Sequence, residues 1–175
     1  MLAGMEIRHA TVADAKGIAV VHVRGWQAVY RGAIPQNYLD NLDPAQRAEN
    51  WVGYLTAQDW PRSGTLVATS GADIVGFAGF GPSRDKDAEP AVVGEVRTIY
   101  LLPDHWGAGL GRRLMDTAVA TLREAGYREA TLWVLDKNER AQRFYAAVGW
   151  RPDGTIQEDL SHGLELRELR YRRSL

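Results

Sequence analysis

Residues 95–115 read EVRTIYLLPDHWGAGLGRRLM, and this stretch joins a predicted strand to a predicted helix. It opens with a β-branched and aromatic run, typical of a strand, which Pro103 terminates. A helix with apolar residues at a four-residue step follows from Leu110. Between strand and helix lie three glycines, Gly107, Gly109 and Gly111. Glycines at such a junction allow consecutive backbone N–H groups to converge on one anion.

Two cations follow these glycines in the first turn of the predicted helix. A helix dipole disfavours positive charge at this end by about 0.3–1 kcal/mol per residue, so Arg112 and Arg113 are unexpected there. A bound multivalent anion reverses the sign of that effect, and the segment is therefore predicted to bind phosphate. A P-loop is excluded because the segment has no lysine. A dinucleotide-binding fingerprint needs GxGxxG, whereas residues 107–111 read GAGLG.

The N-terminal sequence predicts one strand and two helices. Residues 5–10 alternate as a short strand does, and Thr11 with Asp14 has the spacing of a capping box at the start of the first helix. Ile34-Pro35 is predicted to break that helix. Asp43-Pro44 is predicted to begin the second helix, with aspartate as the cap and proline at the first helical position.

Three strands are predicted between these helices and the glycine-rich segment. Residues 65–69 and 73–80 are apolar runs that flank a short turn, so they are predicted to form a β-hairpin. Residues 82–90, PSRDKDAEP, are polar and bounded by prolines, which indicates a loop. A long strand at 91–102 follows this loop and leads into the glycines.

The C-terminal part predicts a strand, a helix and two further strands. EATLWVL at 129–135 is a β-branched and aromatic strand, and Asn138 is predicted to cap the helix after it. The last two strands are predicted around 155–160 and 164–171, with a hairpin loop at 161–163. Strands and helices intermingle without regular alternation, so one mixed α/β sheet is the simplest architecture.

Composition narrows the class of protein. The 175 residues suit a single domain, and 45% hydrophobic with 25% charged residues is typical of a globular protein with a real core. A net charge of -1 argues against a nucleic-acid partner. Cysteine is absent, which excludes disulfides, cysteine-ligated zinc and thiol catalysis. The four histidines have no metal-ligand spacing, so no metal is expected.

No segment of the sequence predicts an association with membranes. The first ten residues, MLAGMEIRHA, have neither an apolar signal core nor a cluster of positive charge, and no apolar run could span a bilayer. A cytoplasmic location with no membrane partner is therefore expected. The chain is expected to be a monomer or a homodimer.

The chain resembles the GNAT N-acetyltransferases along nearly its whole length. Residues 95–115 look like the family's fourth strand, pyrophosphate loop and third helix, and residues 132–150, LWVLDKNERAQRFYAAVGW, look like its fifth strand and fourth helix. Residues 7–18 and the later hairpin resemble the family's opening elements. The family's signature is Gln or Arg, two residues, Gly, one residue, then Gly or Ala. Trp106 departs from it at the first position.

The resemblance implies a fold and a cofactor. The expected fold is a single GNAT-like domain over residues 1–175, in which a mixed, mostly antiparallel sheet of six or seven strands with splayed central strands is flanked by about four helices. The cofactor implied is acetyl-CoA, with its pantetheine arm between the splayed strands and its pyrophosphate on the glycine-rich loop. The residues that match its binding positions are Ile99, Tyr100, Leu101, Trp106, Gly107, Ala108, Gly109, Leu110, Gly111, Arg112, Asn138 and Tyr145.

The resemblance also implies catalytic residues. Glu95 is the expected base, acting directly or through water, since the family often has a carboxylate at this point of the strand; His22 and Asp104 are lesser candidates. Tyr145 is the expected acid that protonates the leaving thiolate. Trp26 and Tyr30, one helical turn apart, are predicted to bind the acceptor because aromatic faces attract ammonium groups.

The predicted reaction is transfer of the acetyl group of acetyl-CoA to a primary amine of a small molecule or peptide. Two alternatives stay open at this stage. The fold could bind acyl-CoA without turnover, or the enzyme could use a larger acyl-CoA or acetylate a protein N-terminus.

Overall fold

The computed structural model describes residues 4–160 and 163–175, which form a seven-stranded sheet with helices on both faces. The strands are β1 (Met5–His9), β2 (Gly64–Ser70), β3 (Asp73–Pro82), β4 (Val93–Leu101), β5 (Glu129–Leu135), β6 (Arg151–Asp159) and β7 (Leu166–Ser174). The helices are α1 (Ala15–Val29), α2 (Gln36–Asp40), α3 (Pro44–Thr56), α4 (Leu110–Glu124) and α5 (Glu139–Ala147). Short 3-10 turns at Val12–Asp14 and Pro103–His105 precede α1 and α4.

The strand order is β1-β2-β3-β4-β5-β7-β6. Only the pairing of β4 with β5 is parallel within the described residues, and the other neighbours are antiparallel. The expected mixed, mostly antiparallel sheet is therefore confirmed. β7 lies between β5 and β6, so the C-terminal hairpin extends the sheet on the far side of β5.

The two central strands separate after a short contact. Their pairing consists of Val93 with Glu129, Gly94 with Ala130, and Glu95 with Thr131. Beyond that point β4 continues to Leu101 and β5 to Leu135 without further pairing between them in the described residues. A wedge-shaped opening, here called the β4–β5 gap, lies between them. The predicted splay of the central strands is confirmed.

The sheet separates two apolar layers because successive side chains of a strand point to opposite faces. On β2, Leu66 packs with α4 and α5 in a cluster centred on Leu114 and Trp150. The next residue, Val67, packs with α1 and α3 on the other face, in a cluster that includes Ile18. Each helix pair thus covers one face of the sheet.

The predicted caps are present, but the Thr11–Asp14 capping box belongs to the 3-10 turn before α1 and not to α1 itself. The Asp14 carboxylate accepts a hydrogen bond from the Thr11 N–H at 2.8 Å. Asp43 accepts one from the Ala45 N–H at 2.8 Å at the start of α3, and Asn138 accepts one from the Ala141 N–H at 3.1 Å at the start of α5. These contacts satisfy N–H groups that have no partner within a helix.

The structure corrects several predicted boundaries. It has five α-helices in the described residues where about four were expected, because the break at Ile34-Pro35 is followed by the short helix α2. Pro82 belongs to β3 and not to the loop, and β6 starts at Arg151, earlier than predicted. Of the hairpin loop predicted at 161–163, residues 161 and 162 lie outside the described residues. No described helix is long and apolar enough to cross a bilayer.

Candidate active site

The glycine-rich loop has an open surface at the start of α4. Gly109 is the N-cap of α4 with φ +83°, and Gly107 has φ +80°, a region that side chains other than glycine's disfavour. A Cβ placed on either glycine would meet no atom within 4 Å. The two glycines therefore give the loop its shape while its outer face stays accessible. Ala108 between them is exposed as well.

Gly111 has a different role, which is to hold α4 against β4. A Cβ at this position would lie 3.0 Å from the end of the Leu101 side chain, so a larger residue would require that side chain to shift. Leu110 is fully buried beside it. This packing places the start of α4, with Arg112 in its first turn, at the open end of the β4–β5 gap.

Trp106 and a cation from α5 flank the loop. The Trp106 indole N–H donates a hydrogen bond to the Leu101 carbonyl at 3.1 Å. The Arg140 guanidinium lies 3.7 Å from the centre of the Trp106 ring, a cation–π contact. A positive charge therefore stands next to the position where the GNAT signature has Gln or Arg, although a different residue supplies it.

The other predicted cofactor contacts lie along the gap. Ile99, Tyr100 and Leu101 belong to the part of β4 that has left β5, so their strand edge faces the gap. Asn138 follows β5 on the opposite side, where its side-chain oxygen caps α5. Its amide N–H groups are the part of the side chain that could still contact a ligand.

A cleft of about 740 Å³ opens on the face of the sheet covered by α1 and α3. Its walls come from α1, α3, β4, β5, the C-terminal hairpin and the loop after β3. Trp26, Tyr30 and Glu95, predicted from separate parts of the sequence, all lie in these walls, and so does His22. Asp104 is exposed on the turn before α4 and does not line the cleft.

The aromatic wall of the cleft is tightly packed. The Trp26 and Tyr30 rings are 4.8 Å apart, and the Tyr30 hydroxyl lies 3.2 Å from that of Tyr100. The His22 ring stacks on Tyr100 at 5.4 Å. Burial raises the pKa of both the Tyr30 and Tyr100 hydroxyls, so they stay neutral at physiological pH. Trp26 is also part of an apolar cluster with Leu39, so it contributes to the core as well as to the cleft.

Glu95 lies where the β4–β5 gap begins, and it is 2% exposed. Its carboxylate accepts three hydrogen bonds from Arg84, two from the guanidinium at 2.7 and 3.1 Å and one from the backbone N–H at 3.0 Å. The Glu95 hydrogen bond is the main cause of the raised pKa of Arg84. A carboxylate has about four lone-pair positions, so one remains for water or an amine.

Tyr145 approaches from the opposite face of the sheet. It lies on α5 and is 9% exposed, with its ring packed against Tyr171 at 6.1 Å. Its hydroxyl makes no hydrogen bond to a described residue, and it is not part of the cleft wall. Burial raises the pKa of Tyr145 well above its ordinary value, and the Tyr30 hydroxyl adds to this effect. The hydroxyl is therefore a neutral donor near the tyrosines of the cleft.

Comparison with known proteins decides the family. The sequence model of the acetyltransferase (GNAT) family matches residues 26–150, which include the glycine loop, the β4–β5 gap and all of α5. The chain belongs to the GNAT acetyltransferase family. The resemblance inferred from the two sequence motifs is thereby confirmed.

Individual GNAT proteins support the same assignment. The chain is 30% identical over 169 residues to the uncharacterized N-acetyltransferase YuaI of Bacillus subtilis, covering 93% of this chain and 89% of that protein. The fold matches that of PaiA N-acetyltransferase from Thermoplasma acidophilum in complex with coenzyme A, with a TM-score of 0.75, 19% identity and coverage of 98% and 99%. It also matches YncA from Salmonella typhimurium with acetyl-CoA, with a TM-score of 0.71, 22% identity and coverage of 98% and 94%.

Three charged residues at the GNAT site were not singled out from the sequence. Arg170 on β7 is 4% exposed and binds Asp85 and Asp87 of the loop after β3, at 3.2 and 2.6 Å, as well as Asp153 of β6 at 2.7 Å. Arg84 in the same loop binds Glu95, and Glu168 lies in the cleft wall. The charged character of the loop was a signal for Arg84 alone, since Glu168 and Arg170 lie on β7. No group of three or more His, Asp or Glu side chains in the described residues is arranged to hold a metal ion.

Proposed function

We propose that this GNAT protein transfers the acetyl group of acetyl-CoA to a primary amine of a small molecule or a peptide. The observation that carries the proposal is the β4–β5 gap, which runs from the glycine loop to the cleft. A cofactor lying in the gap would have its phosphates at one end and its reactive thioester at the other. Acceptor and donor would then meet from opposite sides of the sheet.

The loop residues suit the phosphates of coenzyme A. The N–H groups from Gly107 to Arg112 would bind an anion at the start of α4, where the loop is open and the helix dipole favours negative charge. Arg140 adds a cation through its contact with Trp106. The strand edge at Ile99–Leu101 would bind the pantetheine amides as a neighbouring strand does, and Asn138 would contact the arm from the other side.

Two side chains are proposed to move protons. Acetyl-CoA supplies an acyl group activated as a thioester. Glu95 accepts a proton from the nitrogen that attacks the carbonyl carbon, directly or through one water at its remaining acceptor position. Tyr145 donates its proton to sulfur as the carbon–nitrogen bond forms and the carbon–sulfur bond breaks. Its hydroxyl supports this role because it is neutral and makes no hydrogen bond to a described residue; the tyrosinate that remains regains its proton from water.

The test compares two substitutions at opposite ends of α4. Gly109→Asp places a side chain and a negative charge on the phosphate side of the loop, whereas Gly126→Asp makes the same change at the other end of the helix. Both glycines have positive φ and open surroundings, so the strain is matched. We expect calorimetry to show at least about tenfold weaker acetyl-CoA binding by the first variant only.

Activity is measured in the same experiment as release of coenzyme A thiol over a panel of primary amines. The protein has no cysteine, so the signal from its own thiols is zero. Equal acetyl-CoA affinity in folded Gly109→Asp and parent would overturn the proposed binding site. Binding of acetyl-CoA without thiol release by any amine would instead indicate an acyl-CoA-binding protein.

A further inference from the structure

The carboxylates in the cleft wall differ in whether an arginine forms an ion pair with them. Glu95 is bound by Arg84, and Asp85 is bound by Arg170. Glu168 on β7 forms no salt bridge to a described residue. Its hydrogen bond comes from the neutral Gln157 side chain of β6, at 2.8 Å. Glu168 therefore brings to the cleft a negative charge that no cation of the described residues pairs with directly.

The surroundings of Glu168 make this charge unusual. Burial raises the pKa of Glu168, the Gln157 hydrogen bond lowers it, and the charges of Asp159 and Glu95 raise it again. The charge of Arg84 lowers it, and this effect is larger than that of Glu95. A half-buried carboxylate without a cation destabilises the protein on its own. A ligand with a positive charge would remove that penalty.

Glu168 lies at the end of the cleft remote from the start of the β4–β5 gap. Glu95 pairs with Thr131, whereas Glu168 pairs with Leu135, four residues further along β5. At roughly 3.3 Å per residue, these two positions are about 13 Å apart along the strands. Both carboxylates line one cleft, so a bound molecule of moderate length could contact both.

The aromatic wall lies between α1 and this carboxylate. The buried Tyr30 hydroxyl is near enough for the Glu168 charge to raise the pKa of Tyr30. Trp26 packs on Tyr30 at 4.8 Å. A carboxylate next to aromatic faces is a favourable environment for an alkylammonium group, whose methylene chain contacts the rings.

We propose that Glu168 binds a second cationic group of the acceptor while the amine to be acetylated lies near Glu95. The acceptor class is then a diamine or another molecule that carries a positive charge a few bonds away from the reacting amine. This inference rests on the proposed acetyl transfer. It assigns to Glu168 a role in choosing and orienting the acceptor, and none in the chemical step.

The experiment compares n-butylamine with 1,4-diaminobutane, which have the same carbon chain and differ by one ammonium group. Binding is measured by tryptophan fluorescence, because Trp26, Trp51 and Trp133 all line the cleft. Coenzyme A is present in place of acetyl-CoA, so no transfer occurs. Three proteins are used, the parent, Glu168→Gln and Glu158→Gln. Glu158 is exposed on β6, and it pairs with Arg167 on the face opposite to Gln157 and Glu168.

We expect the parent and Glu158→Gln to bind the diamine at least about tenfold more tightly than the monoamine. Glu168→Gln should bind both equally. A parent that binds the two amines equally, or binds neither, would overturn the inference. Retention of the preference in Glu168→Gln would do so as well. Acetyl-CoA binding is measured in all three proteins as well. If it is unchanged, the absence of the expected difference between the two amines contradicts the role of Glu168 and not the proposed acetyl transfer.

The pH dependence gives a second readout. The preference for the diamine should fall as the pH drops through the raised pKa of Glu168, because the protonated carboxyl has no charge. Other groups face the same space, namely Asp159 of β6, Glu95 of β4, Arg84 of the loop and Tyr30 of α1. Glu168→Gln keeps all of them, so a pH-dependent preference that persists in this variant would also overturn the inference.

Discussion

The buried hydroxyl of Tyr145 makes no hydrogen bond to any described residue. The buried hydroxyl of Tyr127, in contrast, donates a hydrogen bond within the fold. Tyr127 donates to the Arg62 carbonyl at 3.0 Å and is 2% exposed. The same chemical change, removal of one oxygen, therefore has different expected consequences at these two positions. The contrast separates catalysis from stability.

For Tyr145→Phe, we predict a fall in kcat of about 10²-fold, or about 2.7 kcal/mol, with acetyl-CoA affinity and Tm close to those of the parent. Tyr127→Phe should keep kcat and lose about 0.5–1.5 kcal/mol of stability, because it removes a hydrogen bond of the fold. Steady-state kinetics and thermal unfolding of both variants test this. Full activity in a stable Tyr145→Phe protein would end the general-acid proposal.

Residues of the candidate site could be predicted from the sequence only where a motif or an element fixes them. Glu95 and Tyr145 follow from their places in a strand and a helix of the GNAT pattern. Arg84 and Glu168 could not be identified in this way. Arg84 comes from a loop whose path is set by tertiary contacts, and Glu168 is one of several charges on an alternating strand.

Among the elements, the loop between β3 and β4 links the fold to the candidate site. Arg170 holds its aspartates, and the loop in turn places Arg84 over the Glu95 carboxylate. Arg84 is exposed over 64% of its side chain, whereas Glu95 is buried at 2%. The ion pair has two interpretations, a structural one and a catalytic one, and two substitutions distinguish them.

Glu95→Gln keeps the size of the side chain and removes its basicity, and Arg84→Gln keeps the carboxylate and removes its partner. If Glu95 is the base, its substitution should lower kcat by about 10²-fold near neutral pH, while Arg84→Gln should retain most of the rate. The decrease in kcat caused by Glu95→Gln should become smaller at high pH, because the acceptor amine then loses its proton to solvent without a base. Equal loss in both variants over the whole pH range would assign Glu95 to holding the loop.

Elements with a clear periodicity or cap agree with their predictions, and the exception has a physical reason. β5 matches its predicted residues 129–135, and the caps of α3, α5 and the 3-10 turn before α1 involve the predicted side chains. α2 has five residues, too few for an amphipathic repeat. Leu39 is fully buried, so tertiary packing stabilises this helix more than local sequence does.

At the scale of the whole molecule, stability should depend on pH in two opposite ways. The Arg8 hydrogen bonds hold the pKa of Asp14 below its ordinary value although burial opposes this. Burial alone would raise the pKa of Asp153, but hydrogen bonds from Thr155 and Arg170 outweigh it. A carboxylate of this kind stabilises the fold at pH values above about 3.9, which is the pKa of an aspartate in the unfolded chain. The stabilisation is lost as the pH falls through the lower pKa that the group has in the folded protein.

Glu168 has the opposite sign, because its raised pKa means that its ionised form opposes folding. We therefore predict that the free energy of unfolding rises slightly as the pH falls from neutrality through the folded pKa of Glu168, then declines below about pH 4. Urea unfolding across this range measures both changes. Asp14→Asn should reduce the acid decline, whereas Asp116→Asn on the surface of α4 should leave it unchanged. An identical decline in both variants would refute the role of Asp14.

The β4–β5 gap has a consequence for solubility. Where two strands part, each presents a row of backbone donors and acceptors, the kind of surface on which another chain can add itself. In most sheets such unpaired edges belong to the outermost strands. Here the two central strands, β4 and β5, each have one. A molecule bound in the gap would cover both strand edges and so prevent self-association through them. The lifetime of this protein in a cell would then be tied to the supply of its own cofactor.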